Sequence, residues 1–577
     1  MDKIFALIEL ISAAGILLLI RLEKKRPSSK RRILYAVPFV LAAAVAGFIP
    51  WDKYYIGVYA GALLYMVCLF TENDRVRIPV VCGAGLLIGG TLLFIMLSPL
   101  YGTDDYLADF EKGFREMKDY YVLAEEKEID WDVLYAKYRP QFEEATKQRD
   151  EIGSIKLWMQ FANEFYDGHV GYSFSDSAVF ENALYRIFGN DYGLSLMKMS
   201  DGSYAAVNVE GCGESYAVTE GIDDFDKFKD ALADDVENKR YTIKNAGIKN
   251  GTVITSWDGL SMEELVSKAD VMMDNMPDAE NEAFFRTMYA AGYGGEEVVI
   301  GFIDSDGSEK TVKAPRLGAY ICRLMSTMKK IDEGVFISNL DWQKLDDKTA
   351  LLRIYSMAYD LKSYSGSDYR EMTDTLREQI LAYKEEGVKD IVIDLRRNSG
   401  GSPFMVMGVA QLFAPLGEHT DCYNAVINKK RAAYERGEDG KYIKGEAISY
   451  MGEDLWADGR IVLLVNAETV SAGDEMTYLM SSFPNVTVMG YTKTNSSCQA
   501  VSQIELNKGS LSYSAVPSLT EDAEPLIDTY ADHKGRVPID VVIPINEEVI
   551  AAVFDRGEDY QLDYVKEWLH SGRKRTG

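Results

Sequence analysis

Between residues 349 and 490 the chain repeats one pattern, a short apolar run followed by a segment of helical period and then another apolar run. The apolar runs are TALLRIYSM from Thr349, DIVIDL from Asp390, RIVLLVN from Arg460 and VTVMG from Val486. Helices are predicted from Asp368 to Glu386, from Pro403 to Phe413 and from Ala472 to Phe483. A helix between consecutive strands is a crossover, and crossovers leave the strands parallel. This region is therefore predicted to be an α/β layer around a buried parallel sheet.

The rest of the chain is set by an uneven placement of charge. Residues 1–100 hold 11 Lys and Arg against 6 Asp and Glu, while the remaining 477 residues carry a net charge of −33. Four apolar runs fall in the basic end, Ile4 to Ile20, Ile33 to Ile49, Tyr55 to Phe70 and Ile78 to Ser98. At 17, 17, 16 and 21 residues they are long enough to cross a hydrocarbon core, the third marginally. The first run lacks a small-residue cleavage site and is read as a retained span. The loop LEKKRPSSKRR between the first two runs carries Lys24, Lys25, Arg26, Lys30, Arg31 and Arg32, which predicts that it stays cytoplasmic. Counting forward, the chain after Ser98 emerges outside, so a multi-pass cell-membrane protein with an extracytoplasmic body is expected. Glu9, inside the first run, lies near enough to one end for its charge to reach water.

An acidic body repels phosphate backbones, and no basic stripe follows residue 100, so nucleic acid is not an expected partner. Six cysteines at 68, 82, 212, 322, 422 and 498 show no CxxC spacing. Only four histidines exist, at 169, 419, 533 and 570, so a histidine metal cluster would need nearly all of them, and no metal site is predicted.

Within the body, Tyr106, Phe110, Phe114, Met117 and Tyr121 recur at helical spacing and mark a helical lead-in. DGHVGYSF then turns at its Asp-Gly pair and continues as a strand, which puts His169 at a turn-to-strand junction. Residues 190–318 are rich in Gly and Asp with short apolar alternations and read as a small β-rich module. The boundaries that follow are a membrane region over 1–100, a lead-in over 101–189, the β-rich module over 190–320, the α/β core over 321–550 and a polar helix or tail over 551–577.

Two stretches could carry chemistry. In RIVLLVNAETVSAGDEMTYLMSSF a strand turns into a helix at Ser471, where free N–H groups and the helix dipole favour developing negative charge. Serine is also a common helix cap, so capping is the competing role. In DIVIDLRRNSGGSPF a buried strand ends in Gly400 and Gly401, which can turn the chain or aim N–H groups at a ligand. Both stretches end strands of the presumed parallel sheet, at the edge where open α/β folds bind ligands.

DLRRNSGG at 394–401, ETVSAGDE at 468–475 with VMGYT after it, DGHVGYSF and GRVPIDVVIP in this order resemble the C-terminal-processing, or tail-specific, serine proteases. The resemblance covers about residues 104–550. It implies a crotonase-like α/β protease core and a PDZ-like module in the β-rich region. GLSL, with Gly193 and Leu194, would be the loop of that module that binds a peptide C-terminus. It also implies Ser471 as nucleophile and the N–H groups of Ala472 and of Gly400 or Gly401 as oxyanion donors.

The family's base is either a lysine 25 residues after the serine or, in the branch resembling the tricorn core, a histidine in the lead-in. The position 25 residues on is Ser496, and Lys493 is three residues off. His169 occupies the histidine's place and needs almost no pKa shift to act near neutral pH, unlike a lysine. The orienting acid is expected shortly before the terminal glycine turn, where Asp532 is preferred over Asp528, and His533 is an alternative base.

The expected activity is a membrane-anchored serine endopeptidase that cuts polypeptides by acyl-enzyme chemistry, with no cofactor. A Ser/Lys protease using Lys493 and a catalytically inactive peptide-binding or scaffold membrane protein are the alternatives. The oligomeric state is left open, a homo-oligomer included.

Overall fold

The computed structural model describes residues 105–209, 241–272, 275–331, 340–358, 366–428 and 433–572. The chain divides into two compact units, Met1–Asp109 and Phe110–Gly577, and the account below concerns the second. The four apolar runs and Glu9 lie outside the described residues. Among the described residues, no helix is long and apolar enough to cross a membrane.

The lead-in consists of helices α1 (Tyr106–Tyr120), α2 (Trp131–Gln148) and α3 (Glu151–Asn163). Asp130 and Asp150 cap α2 and α3 by accepting first-turn N–H groups. Phe110, Phe114, Phe142, Trp158 and Phe161 pack edge-to-face and stacked, an aromatic core that fixes how the three helices meet. The short strand β1 (Gly171–Phe174) and helix α4 (Ser177–Ile187) follow.

The module after them pairs β2 (Ser195–Lys198) with β3 (Tyr204–Val207). Its larger sheet joins β4 (Ile254–Trp257), β5 (Glu297–Ile303) and β6 (Glu309–Pro315) with the two-residue strand Leu260–Ser261. The sequence pattern did not separate out two of its helices, α5 (Met262–Lys268) and α6 (Ala279–Ala290). Helix α7 (Ile321–Ile331) leads out of the module.

The core is a six-stranded sheet whose strand order is β7 (Leu340–Lys344), β8 (Thr349–Ile354), β9 (Asp390–Asp394), β10 (Arg460–Leu464), β11 (Val486–Gly490) and β14 (Val541–Val542). All but β7 run parallel, so the four predicted strands lie side by side as the crossover argument requires. Their side chains alternate between two cores. Leu351, Val392, Val462 and Leu464 face the cluster shared with the β-rich module, whereas Leu352, Ile391, Ile393 and Leu463 face the other cluster. That second face is covered by α8 (Gly366–Glu385), α9 (Pro403–Phe413) and α10 (Ala472–Ser481).

Outside the main sheet, β12 (Ala500–Glu505) and β13 (Gly509–Val516) form a hairpin, and β13 pairs with β1. This pairing carries the end of the lead-in to the core. The C-terminal segment contains a helix, and that helix is not polar on every face. Helix α11 (Tyr560–His570) buries Leu562, Val565, Trp568 and Leu569 in the first cluster, because its apolar residues fall on one face.

Candidate active site

The loop after β9 is built on an arginine. Arg396 is fully buried and bidentate to two carboxylates, Asp394 at 2.9 and 2.7 Å and Asp559, which caps α11, at 2.8 and 2.7 Å. A planar guanidinium fixes both partners in direction as well as distance. Asn398 then shapes the turn. Its Oδ1 accepts the Gly400 N–H at 2.9 Å, its Nδ2 donates to the Ile354 carbonyl at 2.7 Å, and its own carbonyl accepts the Val470 N–H at 3.0 Å. Thr469 Oγ1 donates to the Leu395 carbonyl at 2.8 Å, so the loops after β9 and β10 are laced together.

Ser471 sits where these loops meet, at the N-cap of α10, with φ 61° and ψ −124°. Its side chain makes no capping hydrogen bond, so the common structural role of a serine at this position is not the one it plays. Gly400 lies directly against it. A Cβ on Gly400 would stand 2.5 Å from Ser471 Cβ and 3.0 Å from its Oγ, and φ is +88° there. The N–H of Gly400 is committed to Asn398, whereas that of Gly401 donates to nothing among the described residues. Ala472, the first residue of α10, has an N–H with no intrahelical acceptor.

His169 lies on the turn before β1, half-buried. Its N–H donates to Asp167 Oδ1 at 2.9 Å, and Asp167 Oδ2 accepts from Tyr121 Oη at 3.0 Å and Ser514 Oγ at 2.8 Å. The Gly168 N–H donates to Ser497 Oγ at 2.7 Å, while the Ser497 carbonyl accepts the Ser471 N–H at 2.8 Å. Ser497 thus ties the histidine turn to the serine turn. Burial holds the His169 imidazole below the usual histidine range, against the opposing charge of Asp167 and the Gln499 backbone. Nδ1 is buried and carries no hydrogen bond, and among the described residues none joins the ring to Ser471 Oγ.

Several expected residues stand elsewhere. Lys493 pairs with Asp278 at 3.2 Å and Glu280 at 2.9 Å on the side of α6. Burial lowers its pKa, but these carboxylates more than offset that and leave it raised, the wrong direction for a lysine base. Ser496, where a lysine would be in register, is fully buried, and its N–H donates to Asp474 Oδ1 at 3.0 Å.

Asp532 is exposed and paired with Arg536 at 3.3 Å, a surface i,i+4 contact. Asp528 is instead the buried acid. Its Oδ2 accepts from Gln499 Nε2 at 2.7 Å and from the Cys498 N–H at 3.2 Å. Burial, helped by the Asp167 charge and opposed by Lys127, pushes its carboxyl up to about 8. Four residues of sequence separate a surface position from the interior here, and pattern alone does not resolve that. His533 packs its ring on Tyr166, with centroids 3.9 Å apart.

In the β-rich module, Gly193 and Leu194 are buried rather than open to a peptide. The Gly193 N–H donates at 2.8 Å to Asp191, a carboxylate of the chain itself, which Arg323 clamps at 2.6 and 3.1 Å. The donor expected to receive a peptide C-terminus already has an internal partner.

Sequence reasoning passed over Asp167, Ser497, Asp474 and Lys127. Asp167 and Asp474 stand inside the quoted motifs, beside the histidine and one turn past the serine, and could have been found there. Asp474 is fully buried and accepts the N–H groups of Ser496 and Ser497 at 3.0 and 3.1 Å. Burial pushes it up to about 7 against these bonds. Among the described residues, no group of three or more His, Cys, Asp or Glu is arranged to hold a metal ion.

Comparison with known proteins gives two family matches. Residues 348–531 match Peptidase family S41, and residues 103–150 match the Tricorn protease C1 domain. No curated protein matches the chain in sequence. Among solved structures, mature CPAF is 12% identical, with a TM-score of 0.49 over 81% of this chain and 97% of its own. The photosystem II D1 C-terminal processing protease is 13% identical, with a TM-score of 0.32 over 79% of this chain and 98% of its own. The tricorn protease is 14% identical, with a TM-score of 0.32 over 82% of this chain and 37% of its own. With residues 348–531, which carry Gly400 and Ser471, matching Peptidase family S41, the chain is a serine peptidase whose core is similar to that family.

Proposed function

We propose that the chain is a membrane-anchored, extracytoplasmic endopeptidase in which Ser471 is the nucleophile and His169 the general base. The observation that carries this reading is the Ser497 link, which fixes the Ser471 backbone and the His169 turn to one residue. In the proposed reaction Ser471 Oγ attacks the peptide carbonyl while His169 takes its proton and returns it to the leaving amine. The N–H groups of Gly401 and Ala472 receive the oxyanion, since Gly400's is already bonded to Asn398. A water then hydrolyses the acyl-enzyme with His169 again as base. A base held neutral by burial accepts a proton at neutral pH, which suits His169 to this role. The acid nearest the histidine in this scheme is Asp167, with Asp528 behind it.

The full-length chain, purified in detergent, tests the chemistry by labelling with a fluorophosphonate probe. Labelling lost in Ser471→Ala and His169→Ala and kept in Lys493→Ala is the expected result. Labelling that survives His169→Ala, or a folded wild type that does not label, overturns it. The membrane reading rests on the four apolar runs and the basic first loop. Protease added outside intact cells should digest the chain beyond residue 100, and protection of that region would overturn the orientation.

A further inference from the structure

We infer that Lys127 is a positioning residue for His169, its buried ammonium joining the segments that carry Asp167 and Asp528 and balancing their charge. This inference rests on the proposed Ser471 and His169 chemistry.

Lys127 follows α1 in sequence, and only 8% of it is exposed. Its Nζ donates to the Tyr166 carbonyl at 2.7 Å, to the Thr529 carbonyl at 2.8 Å and to Thr529 Oγ1 at 3.0 Å. An ammonium has three protons, and these three acceptors use all of them. All three acceptors are neutral, so this is not a salt bridge of the ordinary kind. Tyr166 immediately precedes the turn Asp167, Gly168, His169, and Thr529 immediately follows Asp528. One side chain therefore joins two segments 363 residues apart, which Thr529 Oγ1 also links by donating to the Tyr166 carbonyl at 3.3 Å, and helps set the spacing of two buried acids.

The electrostatics agree with the geometry. Burial lowers the pKa of the Lys127 ammonium, Arg536 adds to that, and the charges of Asp167, Asp528 and Glu126 oppose it. Tyr121 Oη donates to Asp167, the His533 ring packs on Tyr166, and Glu282, Glu164, Arg286 and Lys137 act on Tyr166 from the lead-in and α6. Asp167 accepts three donors as a carboxylate, the His169 N–H, Tyr121 Oη and Ser514 Oγ. Without the ammonium, the Tyr166 and Thr529 carbonyls lose a buried donor, and the turn that carries Asp167 and His169 loses that tie. The turn then loosens, and His169 moves toward solvent.

The test is the rate of fluorophosphonate labelling of the full chain between about pH 5 and pH 9. In wild type the rate should rise with pH through one inflection, absent in His169→Gln, below the ordinary histidine value of about 6.5. Lys127→Met should slow labelling about tenfold at neutral pH, a fraction of what a general base contributes, and shift the inflection toward that value. Thr529→Val, which removes one acceptor of Lys127 together with the 3.3 Å bond from Thr529 Oγ1 to the Tyr166 carbonyl and keeps the Thr529 carbonyl, should shift it the same way by less. A folded Lys127→Met with wild-type rate and inflection overturns the inference. So does a uniform loss of rate with an unmoved inflection, which is the mark of a structural role alone. Should Lys127→Met fail to fold, an unmoved inflection in Thr529→Val is decisive against it. A wild type without a His169-dependent inflection overturns the proposed base instead, so the two failures are distinguishable.

Discussion

Ser471 donates its backbone N–H to the carbonyl of Ser497 at 2.8 Å, and the hydroxyl of the same Ser497 accepts the Gly168 N–H at 2.7 Å. Ser497→Ala keeps the first bond and removes the second, leaving the Gly168 N–H without its acceptor. Such a loss costs about 1 to 3 kcal/mol. The variant should unfold at lower temperature and label with fluorophosphonate several-fold more slowly. Unchanged labelling would mean that the Gly168 anchor does not govern His169.

Gly400→Ala should abolish labelling while leaving the sheet intact. The added carbon would stand 2.5 Å from Ser471 Cβ and 2.9 Å from the Val470 carbonyl, so one of the two loops must move. Overpacking of this kind costs about 1 to 3 kcal/mol. Retained far-ultraviolet circular dichroism with lost labelling is the expected pair of results, and full labelling would contradict the close approach.

Ser471 holds φ at 61° and ψ at −124°, a conformation that costs a non-glycine residue about 1 to 3 kcal/mol. Ser471→Gly should therefore be more stable than Ser471→Ala by about 1 kcal/mol, although neither should label. Denaturant titration of both variants checks this. Equal stability would show that the backbone there is unstrained.

Asp474, pushed up to about 7 by burial, keeps its proton in the folded chain at pH values where the unfolded chain has lost it. The folded state then binds the extra proton between about pH 4 and about pH 7, and stability falls as pH rises through that window. The slope is about 1.4 kcal/mol per pH unit for one such group. The stability difference between wild type and Asp474→Asn, whose amide does not titrate, should accordingly shrink or reverse from pH 5 to pH 7. A difference constant with pH would show that Asp474 is ionised throughout.

The parallel core was readable because its information is local. Each strand from Thr349, Asp390, Arg460 and Val486 declares itself by composition, and the helices between them leave one way to connect. The serine turn was readable for a similar reason, since a strand, a short turn and a helix start lie within one continuous stretch around Ser471. What the sequence pattern did not show depends on distant partners. Asp532 and Asp528 look alike four residues apart, yet one meets Arg536 at the surface and the other meets Gln499 inside. Gly193 has the setting of a peptide-binding loop, but Asp191 and Arg323 close it, and Arg323 lies 130 residues further along the chain.

The sequence alone established a parallel α/β core, two glycine- and serine-bearing loops at one sheet edge and a histidine at a turn, because periodicity and turn chemistry act over a few residues. Folding added what those residues touch. Ser497 links the two turns, Lys127 reaches Thr529 across 402 residues, and Lys493 is turned away to Asp278 and Glu280. Hydrogen bonds and charge pairing need groups within a few ångströms of each other, and only the packed chain brings distant residues that close.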